Sequence, residues 1–262
     1  MAATVAEIVE MLRNADEREF AALERSLVAD QRKGVRKAVE VARKRVAAER
    51  AEAERLESLY AFERSLVPEG ADGCIVGLDE VGRGPVAGPL AVGAVVLPPD
   101  RRIEGLNDSK QVKPEMRREV AERIKHEAVA WAVEYVSPAD IDRDGMSASL
   151  RRAFSGALAQ VVAQGVAPAL VLVDGNPLHI HELERNVVKG DAKCASIAAA
   201  SIVAKVERDE LMERLAPLYP HYGFDENKGY ASPQHIDAIR TYGLCEIHRA
   251  SFCRSFMQET LF

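Results

Sequence analysis

Four acidic residues stand where this chain could do chemistry. Asp79 and Glu80 adjoin at the end of the apolar segment Cys74–Asp79 and lead into a turn punctuated by Gly82, Gly84, Pro85, Gly88 and Pro89. Asp174 closes the run Ala-Leu-Val-Leu-Val-Asp before Gly175-Asn176, and Asp191 lies just ahead of a long Ala-rich segment. Adjacent carboxylates at the end of an apolar strand raise each other's pKa. A divalent cation offsets that repulsion, and hard ions such as Mg²⁺ and Mn²⁺ select carboxylate oxygens. Each position also has a plainer explanation: Asp before Gly is ordinary turn chemistry, and Asp191 could serve as a helix N-cap. Four acids at the ends of apolar elements, none flanked in sequence by a cation, together favour a shared metal site.

The elements that must position them follow from periodicity. Cys74–Asp79 and Leu90–Leu97 read as strands, rich in β-branched residues and bounded by Gly and Pro. Lys113–Glu127 has helical charge spacing, Val129–Val136 reads as a third strand and Gly145–Val162 as a helix. Ala169–Asp174 is a short continuous apolar run, as expected of a strand buried on both faces. Cys194–Leu215 is a strong helix whose Ala and Ser content allows another element to approach closely, and Ser232–Tyr242 is a further helix. The alternation predicts an α/β domain with a mixed sheet flanked by helices.

Composition bounds the rest. The chain has 262 residues, with 47% hydrophobic, 29% charged and only 5% aromatic, so its core must be built mainly from aliphatic side chains. Net charge is −6, which argues against coating nucleic acid by bulk charge alone. The sequence has no apolar stretch that would span a membrane and no secretory leader pattern. The four cysteines (Cys74, Cys194, Cys245 and Cys253) form no C-x-x-C pair and read as reduced thiols in a cytoplasmic protein. Residues 1–70 form a separate compositional block, a charged helical extension, and residues 71–262 the α/β domain. Within the extension Val35, Val39, Ala42 and Val46 make one helical stripe. Arg32, Lys33, Arg36, Lys37, Arg43, Lys44, Arg45 and Arg50 sit beside it. Two readings stand side by side: a helix lying along a phosphate backbone, or one docked by its valines with a solvated charged face.

The segments GLDEVGRGPVAGPLAVGAVV, LNDSK, VLVDGN, KGDAKCASIAAASIVAKVERD, KGYASPQH and HRASF, in that order between residues 74 and 252, resemble the motif series of ribonuclease HII, the type 2 ribonuclease H family. Arg83 distinguishes it from the related ribonuclease HIII, which carries threonine there. The N-terminal arm resembles the extension of longer bacterial members. The resemblance implies a ribonuclease H-like fold in which Asp79, Glu80, Asp174 and Asp191 are both the catalytic and the metal-binding carboxylates, holding two Mg²⁺ or Mn²⁺ ions. It implies cleavage of the RNA strand of RNA–DNA hybrids and incision 5′ of ribonucleotides embedded in duplex DNA, leaving 3′-hydroxyl and 5′-phosphate ends. It further implies that Gly82, Arg83 and Gly84 contact the 2′-hydroxyl through their backbone, and that Tyr230 packs against the sugar at the junction. Lys110, Lys193, Lys205 and Arg249 are expected phosphate contacts, with Ser109 helping to position them. His248 is expected to be structural. Ala231 and Ser232 stand where the family has Gly and Thr. A monomer is expected. A DNA nuclease of the same fold and a non-catalytic hybrid-binding protein are the rival readings; the first would not need the 82–84 loop or Tyr230, the second would tolerate loss of an acid.

Overall fold

The computed structural model describes residues 3–107, 109 and 113–257, with only the backbone of Phe256. The chain divides into two compact units, Met1–Ser58 and Leu59–Phe262.

In the first unit, α1 (Val5–Asn14) and α2 (Glu17–Leu27) precede the long helix α3 (Lys33–Ser65), whose residues from Leu59 onward belong to the second unit. Each short helix starts with a reciprocal cap, Thr4 with Glu7 and Asp16 with Glu19, which satisfies amides that the first turn leaves unpaired. Ile8, Leu12 and Phe20 bury against Val35, Ala42 and Val46 of α3, with Val39 partly covered. The valine stripe therefore docks α1 and α2. Much of the basic run beside it is paired: Arg43 with Glu24 at 2.6 Å, Arg45 with Glu49 at 2.8 Å and Arg50 with Glu54 at 2.8 Å. Lys33, Arg36 and Lys37 stay exposed.

The second unit is built on a five-stranded sheet of order β3-β2-β1-β4-β5. Strand β1 (Cys74–Val81) is central; it pairs antiparallel with β2 (Leu90–Val96) and parallel with β4 (Pro168–Asp174). Outside these lie β3 (Ala130–Val136), antiparallel to β2, and β5 (Glu184–Val187), parallel to β4. Helices α4 (Pro114–Glu127), α5 (Pro138–Asp144) and α6 (Met146–Ala163) flank the sheet, with α7 (Ala195–Leu215). They are followed by the short α8 (Phe224–Asn227), then α9 (Pro233–Tyr242) and α10 (Ala250–Met257). This is the mixed sheet between helices that the pattern predicts; the helix read as Gly145–Val162 is preceded by α5, capped by Ser137 and separated from α6 at Gly145. No helix among the described residues is long and apolar enough to cross a membrane.

Strand alternation sorts the two faces of β1. Val76 and Leu78 join Ala153, Phe154, Ala157 and Val161 of α6 in the main apolar cluster. Gly77 faces the other way, where a Cβ would collide with the backbone of Ser196 and Ile197 in α7. Gly93 of β2 meets Ala200 in the same manner. Helix α7 thus lies against the sheet backbone to backbone, as its small residues permit. Its first turn is held by Glu63 of α3, whose buried carboxylate accepts from the Ser196 amide at 2.9 Å and hydroxyl at 2.8 Å. A carboxylate suits the positive end of a helix.

Candidate active site

The register that pairs Leu78 with Val173 brings Asp79 and Asp174 to the carboxyl ends of adjacent parallel strands. Alternation sends consecutive acids to opposite faces: Asp79 shares the α7 side with Gly77, while Glu80 opens on the α6 side with Leu78. There a cavity of about 460 Å³ is lined by Glu80, Arg83, Asp174, Asn176, Arg151 and His179, with Phe154 at its wall. Beyond β5 the chain turns through Lys189, in the left-handed region at φ 57°, and a short 3₁₀ turn, Gly190–Ala192, carries Asp191. The Gly190 amide donates to Asp174 Oδ1 at 2.6 Å, tying this turn to the end of β4. The N-cap of α7 is Cys194, so Asp191 does not serve as that cap.

Burial drives the Asp79 carboxyl well above its ordinary range; the Ser201 hydroxyl opposes this, and the charges of Glu80, Asp174 and Asp191 add to it. Glu80 is raised by burial and by Asp174, with Arg83, 3.5 Å away, pulling against them. The four acids are therefore within electrostatic reach of one another, and three of them penalise ionisation of the fourth. All the donors are carboxylate oxygens, a set that suits a hard divalent cation. Among the described residues, no three His, Cys, Asp or Glu side chains form a ready-made metal cage.

The 82–84 loop stands beside this set. Gly82 lies at φ 83°. A methyl on Gly84 would come 3.9 Å from Tyr230 Cε1, so the loop and Tyr230 are neighbours. Arg83, Gly84 and Tyr230 are exposed, whereas Gly82 is buried.

Arg249 overturns the expectation of a phosphate contact. It is wholly buried, and its guanidinium donates to the carbonyls of Gly82 (2.6 Å), Arg83 (3.2 Å) and Gly88 (2.8 and 3.0 Å). A phosphate has no access to it; the arginine instead holds the loop. In a trans peptide, C=O and N–H point oppositely. With the carbonyls of Gly82 and Arg83 drawn inward, the amides of Arg83 and Gly84 point away from the guanidinium. Arg208 of α7, equally buried and not singled out by the sequence, holds the carbonyls of Pro89, Lys228 and Ala87 at 2.9, 3.0 and 3.2 Å. Burial lowers the proton affinity of both arginines, that of Arg249 to about 9, which keeps it charged near neutrality.

The other expected contacts divide. Ser109 is buried with its hydroxyl 3.0 Å from that of Ser201, which also meets Asp79, so a pair of hydroxyls leads to the carboxylate. Lys193 is exposed and donates to Val188 O at 2.8 Å. Lys205 pairs with Asp209 at 2.8 Å and lines a separate charged cavity of about 420 Å³ with Arg117, Arg118 and Lys228. Lys110 lies outside the described residues. Ser232 is the N-cap of α9, accepting from the His235 amide at 3.2 Å, a role a threonine hydroxyl would fill equally. Sequence reasoning passed over Ser201 and Arg208; their signal, a hydroxyl and a cation within an otherwise apolar or self-paired helix, becomes specific only once α7 is seen against the sheet.

A mixed sheet with acids converging at the carboxyl ends of its central strands is the architecture of a ribonuclease H-like, metal-dependent nuclease. A family profile described as Ribonuclease HII matches residues 76–255, and one described as Ribonuclease HII N-terminal domain matches residues 4–67. The chain is 48% identical over 202 residues to a ribonuclease HII of Moorella thermoacetica, covering 77% of this chain and 96% of that one. It is 42% identical to the ribonuclease HII of Pelotomaculum thermopropionicum, over 87% of this chain and 85% of the relative. The crystal structure of the ribonuclease H2 from Pyrococcus horikoshii OT3 superposes with a TM-score of 0.60 at 29% identity, covering 70% of this chain and 96% of that one. The protein belongs to the ribonuclease HII family.

Proposed function

We propose that this protein is an endoribonuclease that cleaves the RNA strand of RNA–DNA hybrids and incises 5′ of ribonucleotides in duplex DNA, leaving 3′-hydroxyl and 5′-phosphate ends. The observation that carries the reading is the meeting of Asp79, Glu80, Asp174 and Asp191 beside a loop whose Gly82 and Arg83 carbonyls are turned inward. These four carboxylates would hold two Mg²⁺ or Mn²⁺ ions, which when bound supply an activated water and neutralise charge developing on the phosphate and the departing 3′ oxygen. Glu80 and Asp174 line the cavity in which the scissile phosphate would lie, and Asp79 is steadied from behind by Ser201. The Gly190 amide fixes Oδ1 of Asp174, which lines that cavity beside Glu80.

Substrate choice requires a group that reads the 2′-hydroxyl, the mark of RNA at a given position. The amides of Arg83 and Gly84, aimed outward by Arg249, supply donors, and Gly84 lets the sugar come close. Tyr230, beside Gly84, offers an exposed ring on which that sugar packs. Lys193 is available to nearby phosphates. Residues 71–262 carry the catalysis in this reading, and residues 1–70 act as an accessory that meets duplex through the exposed Lys33, Arg36 and Lys37.

The deciding experiment is cleavage of a DNA duplex carrying one internal ribonucleotide, with Mg²⁺ or Mn²⁺, beside an all-DNA duplex and the Asp174→Asn protein. A nick on the 5′ side of the ribonucleotide, absent from both controls, is the expected result. Equal cutting of all-DNA would replace this reading with a DNA nuclease, and no cutting of this substrate or of a long hybrid would leave only a binding role.

A further inference from the structure

Two buried histidines remain without a part in this chemistry. His235 on α9 and His248, just before α10, are almost fully enclosed, with the rings of Tyr222 and Phe224 against them. Their nitrogens form a chain whose protons can be placed. The Cys245 amide donates to His248 Nδ1 at 2.9 Å, so that nitrogen is bare and the proton sits on Nε2. Nε2 lies 3.0 Å from His235 Nε2 and donates to it. His235 therefore carries its own proton on Nδ1, which donates to the Tyr230 carbonyl at 2.8 Å. The Cys245 thiol, 3.0 Å from His248 Nδ1, can only add a donor to the same lone pair. Both imidazoles are thus neutral, each in one tautomer, and every ring nitrogen is used.

The two ends of this chain are anchored where it matters. His248 bridges Ala87 in an isolated antiparallel pair, the Gly88 amide donates to Ile247 O at 2.8 Å, and Arg249 follows directly, bonded to the carbonyls of Gly82 and Arg83. At the other end, Gly229 O accepts from the amides of Val86 and Ala87 at 2.9 and 3.2 Å. Tyr230, the residue whose carbonyl receives the relay, then presents its ring beside Gly84. Chain segments around residues 87, 230 and 248 are so locked into one ring of contacts, with the histidine pair as its polar axle.

We propose that His235 and His248 form a positioning relay that sets the main chain at Tyr230, and through it the placement of the tyrosine ring beside Gly84 on which cleavage at a ribonucleotide depends. The proposal rests on the reading of Tyr230 as the sugar-facing residue. Neither histidine touches substrate; both act through the tyrosine. The Tyr230 carbonyl keeps a second donor, the Ser232 amide at 2.8 Å, so loss of the relay loosens the segment without unfolding it.

The test is a double-mutant cycle on the single-ribonucleotide duplex, using the full chain. His235→Phe keeps a ring in the cavity but removes both nitrogens; it should lower kcat/KM about five- to tenfold, the size of one lost hydrogen bond. In the Tyr230→Ala background the same change should cost less than about twofold, because the group it positions is gone. His235→Asn, whose amide nitrogen can stand near the place of Nδ1, should recover most of the loss. Protected imidazole N–H resonances of His235 and His248 should be visible by NMR in the wild type and absent in His235→Phe; this readout needs no substrate, and His248→Phe provides a second variant if His235→Phe fails to fold. An equal loss with and without Tyr230 would overturn the relay while leaving the role of Tyr230 intact. A Tyr230→Ala protein that cuts as well as wild type would overturn both.

Discussion

Replacing Arg249 with methionine separates two roles that the same residue could have. The guanidinium makes four hydrogen bonds to three carbonyls of the 82–88 loop, and among the described residues no carboxylate is hydrogen-bonded to it. Hydrogen bonds from a charged donor contribute about 1.5–3 kcal/mol each, against which stands the cost of burying the charge. Methionine retains the apolar stem and removes the charge with all four bonds, leaving three carbonyls short of a donor. A net loss of about 3–4 kcal/mol follows, which for a unit of this size lowers the melting temperature by roughly 6–16 °C. Release of the inward carbonyls lets the 83 and 84 amides swing; a misplacement near 1 Å costs about 100-fold in rate. Thermal unfolding and single-turnover cleavage of a one-ribonucleotide duplex, measured across a salt series, would report both. The slope of log affinity against log salt should stay unchanged. A variant with wild-type melting, weakened binding and a salt slope reduced by about one would refute the reasoning and return Arg249 to a phosphate.

Asp174→Asn should cut metal-dependent cleavage by more than about 100-fold, beyond what loss of an outer metal partner costs, while duplex binding in a gel-shift assay persists. Burial, with the neighbouring His235, lowers the His248 pKa from 6.5 to about 4, so the unfolded chain takes up a proton that the folded one refuses between those values. Stability is then full above pH 6.5 and falls as pH drops toward 4, by about 2 kcal/mol after allowing for partial solvation; His248→Gln should flatten that part of a denaturation-against-pH curve. Removing residues 1–58 should leave the melting of the second unit within about 1 kcal/mol of its former stability and lower the salt slope of duplex binding; an unchanged slope would count against a phosphate-binding extension. Removing residues 1–66 also deletes Glu63 and the Tyr60 hydroxyl that accepts from the Ile103 amide, and should destabilise by a further 2–4 kcal/mol or so in chemical denaturation.

The strands nearest the site were legible because they are continuous apolar runs ended by an acid or a glycine, and β1 and β4 begin and end within two residues of their expected bounds. Helix α7 was legible for the same reason, its small residues announcing a close approach that Gly77 and Gly93 then receive. Strand β5, Glu-Arg-Asn-Val, was not, since a short polar edge strand has no periodicity to detect. Nor was the division of the N-terminal block into three helices, although the caps at Thr4 and Asp16 were there to read. What lay beyond the sequence was the inside of the loop supports. Arg249 meets Gly82 across 167 positions and Arg208 meets Ala87 across 121, and no local pattern states which way a guanidinium turns. A basic residue in a nucleic-acid enzyme invites a phosphate, and burial alone reverses that inference.

The contact between α7 and the sheet has a mechanical consequence. Where side chains separate a helix from a sheet, repacking can absorb small displacements; at Gly77 only main chain meets the strand, and at Gly93 only main chain and the Ala204 methyl. The interface has almost no compliance there. Asp79 rides on the strand and Asp191 on the turn that feeds the helix, so the span between these two carboxylates is set by a stop as stiff as the polypeptide itself. Mutational drift in the surrounding core can change how firmly the unit holds together while scarcely altering that span.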